Sequence, residues 1–129
     1  MWKIVLLALA AVIAVGSGSK LVGGFQDVDY TTDEDAKNAI NFSVVEHNRA
    51  TNDLYLSQVA EVVKVQRQVV AGMKYVITLK MAKTPCRKGS ANEVCAIHQN
   101  PELARPYQCT FTVWSRPWLN DIQLSKQEC

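Results

Sequence analysis

The apolar residues of this chain follow a helical spacing once and an alternating spacing afterwards, and this change of period limits the fold more than any other feature. The helical stripe consists of Ala36, Ala39, Ile40, Phe42, Val44 and His47. Its spacing predicts one amphipathic helix. The clearest alternating stretch consists of Tyr75, Ile77, Leu79 and Met81. Alternation predicts half-buried strands, so we expect an α+β domain in which the helix covers one face of an antiparallel sheet.

The ends of these elements carry recognisable signals. The candidate capping residues for the helix are Thr31, Thr32 and Asp33. The helix should end near Arg49, and the first hairpin should turn at Ala71 and Gly72. Residues 84–106 lack a clear period and predict an irregular excursion. The expected strands cover residues 54–70, 74–81, 109–113 and 119–124.

The first 18 residues have the composition of a secretory signal peptide. Lys3 precedes an apolar run at residues 4–15, and small side chains follow at residues 16–18. The apolar run is shorter than the roughly 20 residues that span a bilayer, which argues against a membrane anchor. We expect cleavage after Gly18, secretion to the extracellular space, and a single domain over residues 19–129.

Charge and cysteine content exclude several classes of protein. Residues 19–129 contain 13 basic and 12 acidic side chains without a basic cluster, so we expect no nucleic-acid partner and no membrane partner. An even number of cysteines in a short secreted chain predicts two disulfides, for which three pairings are open. No CxxC pair is present, so we expect neither a metal nor a cofactor. The cysteines are Cys86, Cys95, Cys109 and Cys129.

Three apolar segments occupy places that are normally polar. The first tip, at the turn of the first hairpin, consists of Gln68, Val69, Val70, Ala71 and Gly72. The second tip, at the turn of the second hairpin, consists of Pro117 and Trp118. The third segment, just before two glycines, consists of Leu21 and Val22. Exposed apolar surface of this kind usually marks a binding site.

These three segments are expected to lie together. Counting strand reversals brings both tips to one end of the sheet, within reach of the chain ahead of the helix. The result is an apolar wedge whose partner has a narrow apolar cleft, with Trp118 as an anchor.

Each segment also has a simpler explanation. Val69 and Val70 could face the core, Trp118 could pack against the helix, and residues 21–22 could be a loose tail.

The same residues resemble the motifs of the cystatin family. Residues 68–72 match its QxVxG motif, and Pro117 with Trp118 matches the PW of its second loop. Gly23, preceded by Leu21 and Val22, is similar to its N-terminal glycine. Together with the signal sequence and the four cysteines, the likeness is to the secreted, single-domain type 2 cystatins and covers residues 19–129.

The resemblance implies a fold, a disulfide pairing and an activity. The fold is one long helix packed on a curved antiparallel sheet of about five strands. The disulfides are Cys86–Cys95 and Cys109–Cys129. The activity is reversible, tight-binding inhibition of papain-like cysteine proteases such as cathepsins, without catalytic residues on the inhibitor.

The resemblance also implies a role for each segment. Leu21 and Val22 would occupy unprimed subsites of the protease, with Val22 nearest the catalytic centre. Gly23 would turn the backbone away before a peptide bond reaches the nucleophile. The first tip would enter the middle of the cleft, and the second tip would cover its primed side.

Two asparagine motifs lie outside this wedge. Some type 2 cystatins inhibit legumain through an asparagine that follows the helix, and Asn52 stands at that place. The simpler explanation is that Asn52 only ends the helix. Asn41, with Ser43 two residues later, forms a glycosylation sequon. Because the sequon lies inside the predicted helix, we expect it to be unmodified.

Two other classes of function compete with inhibition. For an enzyme, His47 and His98 are the candidate bases, but His47 fits the role of a half-buried packing residue, so we expect no enzymatic activity. A non-inhibitory cystatin fold, acting as a prodomain, carrier or signalling protein, is the alternative. Such relatives tend to lose one of the three motifs, and this chain has all three. We expect a monomer, with hairpin exchange between two copies as an open alternative.

Overall fold

The computed structural model describes residues 24–89 and 95–129, so the expected signal peptide and residues 21–23 lie outside the described residues. The first elements are a short strand β1 (Gln26–Asp27), the long helix α1 (Glu34–Ala50), and strands β2 (Tyr55–Val70) and β3 (Gly72–Arg87). The later elements are a short helix α2 (Pro101–Ala104), strand β4 (Tyr107–Arg116), a 3₁₀ turn (Pro117–Leu119) and strand β5 (Asp121–Glu128). Among these residues the predicted fold, one long helix on a five-stranded antiparallel sheet, is confirmed.

Helix α1 begins where an acidic side chain can bind its free backbone N–H groups. Asp33 is the cap, and its Oδ1 accepts a hydrogen bond from the Ala36 N–H at 3.0 Å. This bond is the main cause that holds the pKa of the Asp33 carboxyl below its usual value. The helix ends at Ala50, one residue later than predicted, because the Thr51 N–H still bonds to the His47 carbonyl at 3.1 Å.

The buried face of α1 differs from the predicted stripe. Its buried residues are Ala36, Ala39, Ile40, Ser43 and His47. The prediction left out Ser43 because it is polar, yet its hydroxyl donates to the Ala39 carbonyl at 2.8 Å and so needs no water. Phe42 and Val44 lie half-buried beside the stripe and pack against the core from its margins.

The sheet is a meander in which each strand pairs antiparallel with the next one along the chain. Side chains that face α1 alternate along β3 and β4, as predicted, and each is at most 1% exposed. They are Tyr75, Ile77, Leu79, Met81, Cys109, Phe111 and Val113. Together with the buried face of α1 these residues form the hydrophobic core.

The strands extend further than the sequence predicted. β3 continues to Arg87, inside the stretch predicted to be irregular, because it stays paired with β2 as far as Tyr55. The last strand, predicted over residues 119–124, runs from Asp121 to Glu128, and Leu119 belongs to the turn before it. Backbone pairing with β4 continues past Leu124 through polar residues, whose side chains carry no alternating apolar signal.

Two disulfides tie the strand ends that lie away from the tips. Cys86–Cys95 joins the end of β3 to the segment before α2, and Cys109–Cys129 joins β4 to the residue after β5. This is the pairing that the resemblance implied. Neither helix in the described part of the chain has the length and apolar character needed to cross a membrane.

Candidate functional site

The first and second tips lie side by side at one end of the sheet. The β2–β3 hairpin turns at Ala71, where Val70 pairs with Gly72. Directly after this turn, Met73 pairs with Ser115, the last residue but one of β4. Because β4 then leads into the second tip, the two turns project from neighbouring strands. The predicted apposition of the two tips is therefore confirmed.

Large apolar side chains at this end are exposed to solvent. Val69 is 60% exposed, Val70 43% and Trp118 65%. Leu119, which the sequence analysis did not assign to the second tip, is 57% exposed next to Trp118. None of these four side chains belongs to the core that packs under the helix, so the described fold does not depend on burying them.

The remaining tip residues shape the turns. Ala71 and Pro117 are exposed, and Gln68 is half-buried. Gly72 is buried and has a φ of +101°, a backbone conformation that residues with a side chain rarely adopt. A Cβ atom at this position would lie 2.6 Å from the carbonyl oxygen of Ser115. Glycine is therefore required both for the turn and for its close approach to β4.

Two residues that the sequence analysis missed, Trp114 and Arg116, lie between the tips. The Trp114 indole N–H donates a hydrogen bond to the Ala71 carbonyl oxygen, with Nε1 and O 2.8 Å apart. The Arg116 guanidinium carbon lies 4.2 Å from the centre of the Trp114 ring, a cation–π arrangement. Arg116 Nε also donates to Asp121 Oδ2 at 2.9 Å, and Arg116 is the main cause that lowers the pKa of the Asp121 carboxyl. The sequence did carry one signal that could have identified Trp114, namely a large indole on the face of β4 that is otherwise polar.

The chain ahead of α1 approaches the same end of the sheet. β1 runs antiparallel to β2, with Gln26 opposite Arg67. Gly24 and Phe25, the two described residues before Gln26, are therefore directed toward the first tip, and Phe25 is 43% exposed there. The third predicted segment and its glycine fall outside the described residues and stay predictions; they are Leu21, Val22 and Gly23.

Asn52 lies at the opposite end of the β2–β3 hairpin, in the connection between α1 and β2. Asn52 is exposed, whereas both of its neighbours are anchored. Lys88 Nζ donates to the Thr51 carbonyl oxygen at 2.7 Å and to the Thr51 hydroxyl at 3.0 Å. Lys83 donates to the Asp53 carboxylate and is the main cause that lowers its pKa. The loop thus presents Asn52 between two fixed neighbours.

His47 is part of a buried network and not of an exposed site. It is 3% exposed, so the half-buried position predicted for it is wrong. Its Nε2 lies 2.7 Å from the Tyr107 hydroxyl, and its Nδ1 lies 3.1 Å from the Gln127 side-chain nitrogen. Burial is the main cause that lowers the pKa of His47, followed by the charges of Lys83 and Lys88. An enclosed imidazole cannot reach a substrate, which agrees with a packing role.

One group of metal-ligating residue types comes together in the described part of the chain. Ligand atoms of His47, Cys109 and Cys129 lie within 4.8 Å of one another. Zinc binds cysteine as the thiolate, and both of these sulfur atoms are joined in a disulfide. The grouping follows from the cross-link and does not describe a metal site.

A groove of about 930 Å³ runs between α1 and β2, away from both tips. Its apolar lining includes Ile40, Val44, Val59 and Val62. Asn41 of the glycosylation sequon is exposed and lines the same groove. Because the groove contains no residue of either tip, it is a surface separate from the candidate site.

Comparisons with known proteins agree with this geometry. A family model described as a cystatin domain matches residues 23–118. A cystatin-C of Paralichthys olivaceus is 56% identical over 130 residues and covers 100% of both chains. A cystatin of Oncorhynchus keta is 50% identical over 128 residues, covering 99% of this chain and 97% of the relative. The crystal structure of dimeric human cystatin F has a TM-score of 0.71 and 25% identity, covering 84% of this chain and 86% of that one.

Proposed function

The chain belongs to the cystatin family of cysteine protease inhibitors, and we propose that it inserts its two tips together into the active-site cleft of papain-like proteases. Papain-like proteases are the partners of the family, and cathepsins are the targets we propose for this member. Cystatins are inhibitors and not enzymes, so the mechanism requires no catalytic group on the chain.

The observation that carries the proposal is the exposed apolar surface of two adjacent tips. Val69 and Val70 end strand β2, and Trp118 lies in the 3₁₀ turn between the paired strands β4 and β5 of the same sheet. Because the sheet holds these side chains in place before binding, little further ordering is needed, and more of the apolar burial is retained as affinity. A projecting apolar surface of this shape fits a narrow apolar cleft.

A cleft-filling inhibitor must also avoid being cleaved. The first tip enters as a tight hairpin turn, which Gly72 permits, and not as an extended substrate strand. We propose that Gly23 turns the N-terminal segment away from the nucleophile in a comparable way. Leu21 and Val22 would then fill the unprimed subsites, and the second tip would cover the primed side. The direction of β1 supports this arrangement.

We further propose that the protein acts outside the cell. Residues 1–18 would be removed as a signal peptide and residues 19–129 would form the mature domain. The two disulfides support this, because such bonds persist in oxidising compartments. N-terminal sequencing of protein secreted by eukaryotic cells should begin at Ser19.

Titration of papain tests the central proposal. With papain well above the Kd, wild-type protein should remove its activity stoichiometrically, because each inhibitor fills one cleft. A matched control carries Val70→Asp and Trp118→Ala, which alter both tips but no core residue. This variant should fold normally and inhibit far more weakly. If folded wild-type protein at micromolar concentration leaves papain fully active, the non-inhibitory alternative replaces this proposal.

Deletion of residues 19–22 tests the third segment. Unprimed subsites differ in shape among cathepsins, so the inhibition constant Ki should rise by different factors for different cathepsins. The melting temperature should stay unchanged, because the core lies within residues 36–113. An equal rise of Ki for every protease would contradict the proposed subsite contacts.

A second proposed partner is legumain, through Asn52. The supporting observation is that Asn52 is exposed between the anchored residues Thr51 and Asp53. Asn52→Ala should abolish legumain inhibition and leave papain inhibition intact, because the tips lie at the other end of the hairpin. Asn38→Ala, at an exposed position of α1, is the matched control. Legumain that stays fully active with excess wild-type protein excludes this partner.

A further inference from the structure

A series of contacts on the outer face of the sheet links the two tips. Val113 and Ser115 of β4 are buried beneath α1, so the alternate residues Trp114 and Arg116 lie on the face that points away from the helix. The contacts run from the Ala71 carbonyl through Trp114 and Arg116 to Asp121. None of these contacts involves the core.

The first contact holds the turn of the first tip. Ala71 stands between the paired residues Val70 and Gly72 and takes no part in the strand ladder. Its carbonyl nevertheless has a fixed donor, the Trp114 indole N–H, which comes from a residue 43 positions along the chain. A turn carbonyl with a side-chain donor is less free to rotate than one that faces only water.

The second set of contacts holds the indole relative to the second tip. The Arg116 guanidinium lies against the Trp114 ring and binds the Asp121 carboxylate. Arg116 and Asp121 are also paired in register, on either side of the 3₁₀ turn that carries Trp118. The ion pair therefore closes the base of the second tip, and the same guanidinium orients the indole that holds the first tip.

We propose that Trp114 is a positioning residue that, through Ala71 on one side and Arg116 on the other, holds the first tip in register with the second. This inference rests on the proposed function, since the relative position of the two tips matters only if both enter one cleft. Two tips that move independently must be ordered when they bind, which lowers affinity. The close packing at Gly72 agrees with this role, because a Cβ there would lie 3.1 Å from Trp114 Nε1.

The free protein provides the first test, without any protease. In NMR spectra, the indole N–H of Trp114 should exchange with solvent more slowly than that of Trp118, which is 65% exposed. Trp114→Phe keeps a ring but removes the donor, and the backbone amides of residues 71–73 should then exchange faster. Thr112→Ala, two residues earlier on the same face, is the matched control and should change neither. An indole of Trp114 that exchanges as fast as that of Trp118 overturns the proposal.

Binding to papain provides the second test. Trp114→Phe should raise Ki about threefold to tenfold, as expected for one lost hydrogen bond, with the melting temperature nearly unchanged. If Ki rises while exchange in the free protein stays as in wild type, Trp114 contacts the protease directly and does not position the first tip. If wild-type protein does not inhibit papain at all, the proposed function fails, whereas the exchange measurement still decides whether the tips are linked.

A second variant guards against misfolding of Trp114→Phe. Arg116→Gln keeps the indole N–H and removes both the cation–π contact and the ion pair with Asp121. It should speed exchange at residues 71–73 and raise Ki in the same direction. Wild-type exchange together with wild-type Ki in a folded Arg116→Gln protein overturns the role of Arg116 in the linkage.

Discussion

The two ends of the long β2–β3 hairpin are built in opposite ways. At the turn end, large apolar side chains face solvent, and the first tip is held by the close approach of Gly72 and one indole hydrogen bond. At the open end, two disulfides tie β3 and β4 to later parts of the chain, Lys83 pairs with Asp53, and the buried His47 contacts Tyr107 and Gln127. The turn end can therefore lose exposed side chains with little loss of stability, whereas the open end cannot lose its connections without loosening the fold.

Removing the Cys109–Cys129 disulfide should have the largest effect, and on stability alone. Cys109→Ala combined with Cys129→Ala should lower the free energy of unfolding by about 3 kcal/mol, because a loop with a sequence separation of 20 is no longer closed in the unfolded chain. Urea denaturation measures this loss. Papain Ki, measured where the variant is folded, should stay within about twofold of wild type.

The shorter disulfide is the matched comparison for that prediction. Cys86–Cys95 closes a sequence separation of 9, so its removal should cost about 0.7 kcal/mol less on the same chain-entropy argument. A large rise of Ki on removal of either disulfide would show that the two ends are coupled and would break the contrast between them.

Gly72→Ala should have the next largest effect on stability, and it changes the turn end of the hairpin. Its Cβ would lie 2.6 Å from the Ser115 carbonyl oxygen, and alanine disfavours a φ of +101°. We expect a stability loss of about 2 kcal/mol and a rise in papain Ki of about 30-fold, because the first tip must shift. Gly89→Ala is the control, since its φ is +79° but no atom lies within 4 Å of the added Cβ. Gly89→Ala should leave Ki unchanged, and a similar rise of Ki in both variants would contradict the steric argument.

Trp118→Ala should separate binding from stability most clearly. Because Trp118 is 65% exposed, its removal should change the melting temperature by less than about 2 °C. Papain Ki should nevertheless rise about tenfold or more, as expected for an interface tryptophan. Val45→Ala, at a position on α1 that is 54% exposed, should change neither quantity. A large drop in the melting temperature of Trp118→Ala would place the indole in the core.

Acidification should have the smallest effect on stability, and the residue responsible, His47, lies at the open end. The pKa of His47 is lowered in the folded state, so the unfolded chain binds more protons and stability should fall as pH drops below 6.5. The carboxylates with lowered pKa values respond only near and below 3.8, so they contribute little between pH 7 and 5. Urea midpoints at these two pH values should differ more for wild type than for His47→Gln. Equal shifts in both proteins would remove His47 as the cause.

Elements with a local signal were predictable from the sequence. The three- and four-residue spacing identified α1, and alternation identified the buried face of β3. The candidate caps Thr31, Thr32 and Asp33 included the actual cap, Asp33. Apolar residues at places that are normally polar identified the tips at residues 68–72 and 117–118, and strand counting placed them together. In each case the deciding residues are neighbours in sequence or at a fixed spacing, so the chain alone carries the information.

Contacts between distant residues were decided only by the tertiary structure. Trp114 meets a carbonyl 43 residues away, and His47 meets Gln127 across 80 residues. Such contacts depend on strand register, which polar outward-facing side chains do not encode, and the β2–β3 register shifts at three irregularities. The complete burial of His47 likewise required partners, Tyr107 and Gln127, that the helix period could not reveal. Short-range spacing thus determined the elements and the tips of this protein, and only the pairing of strands in space decided which side chains hold them.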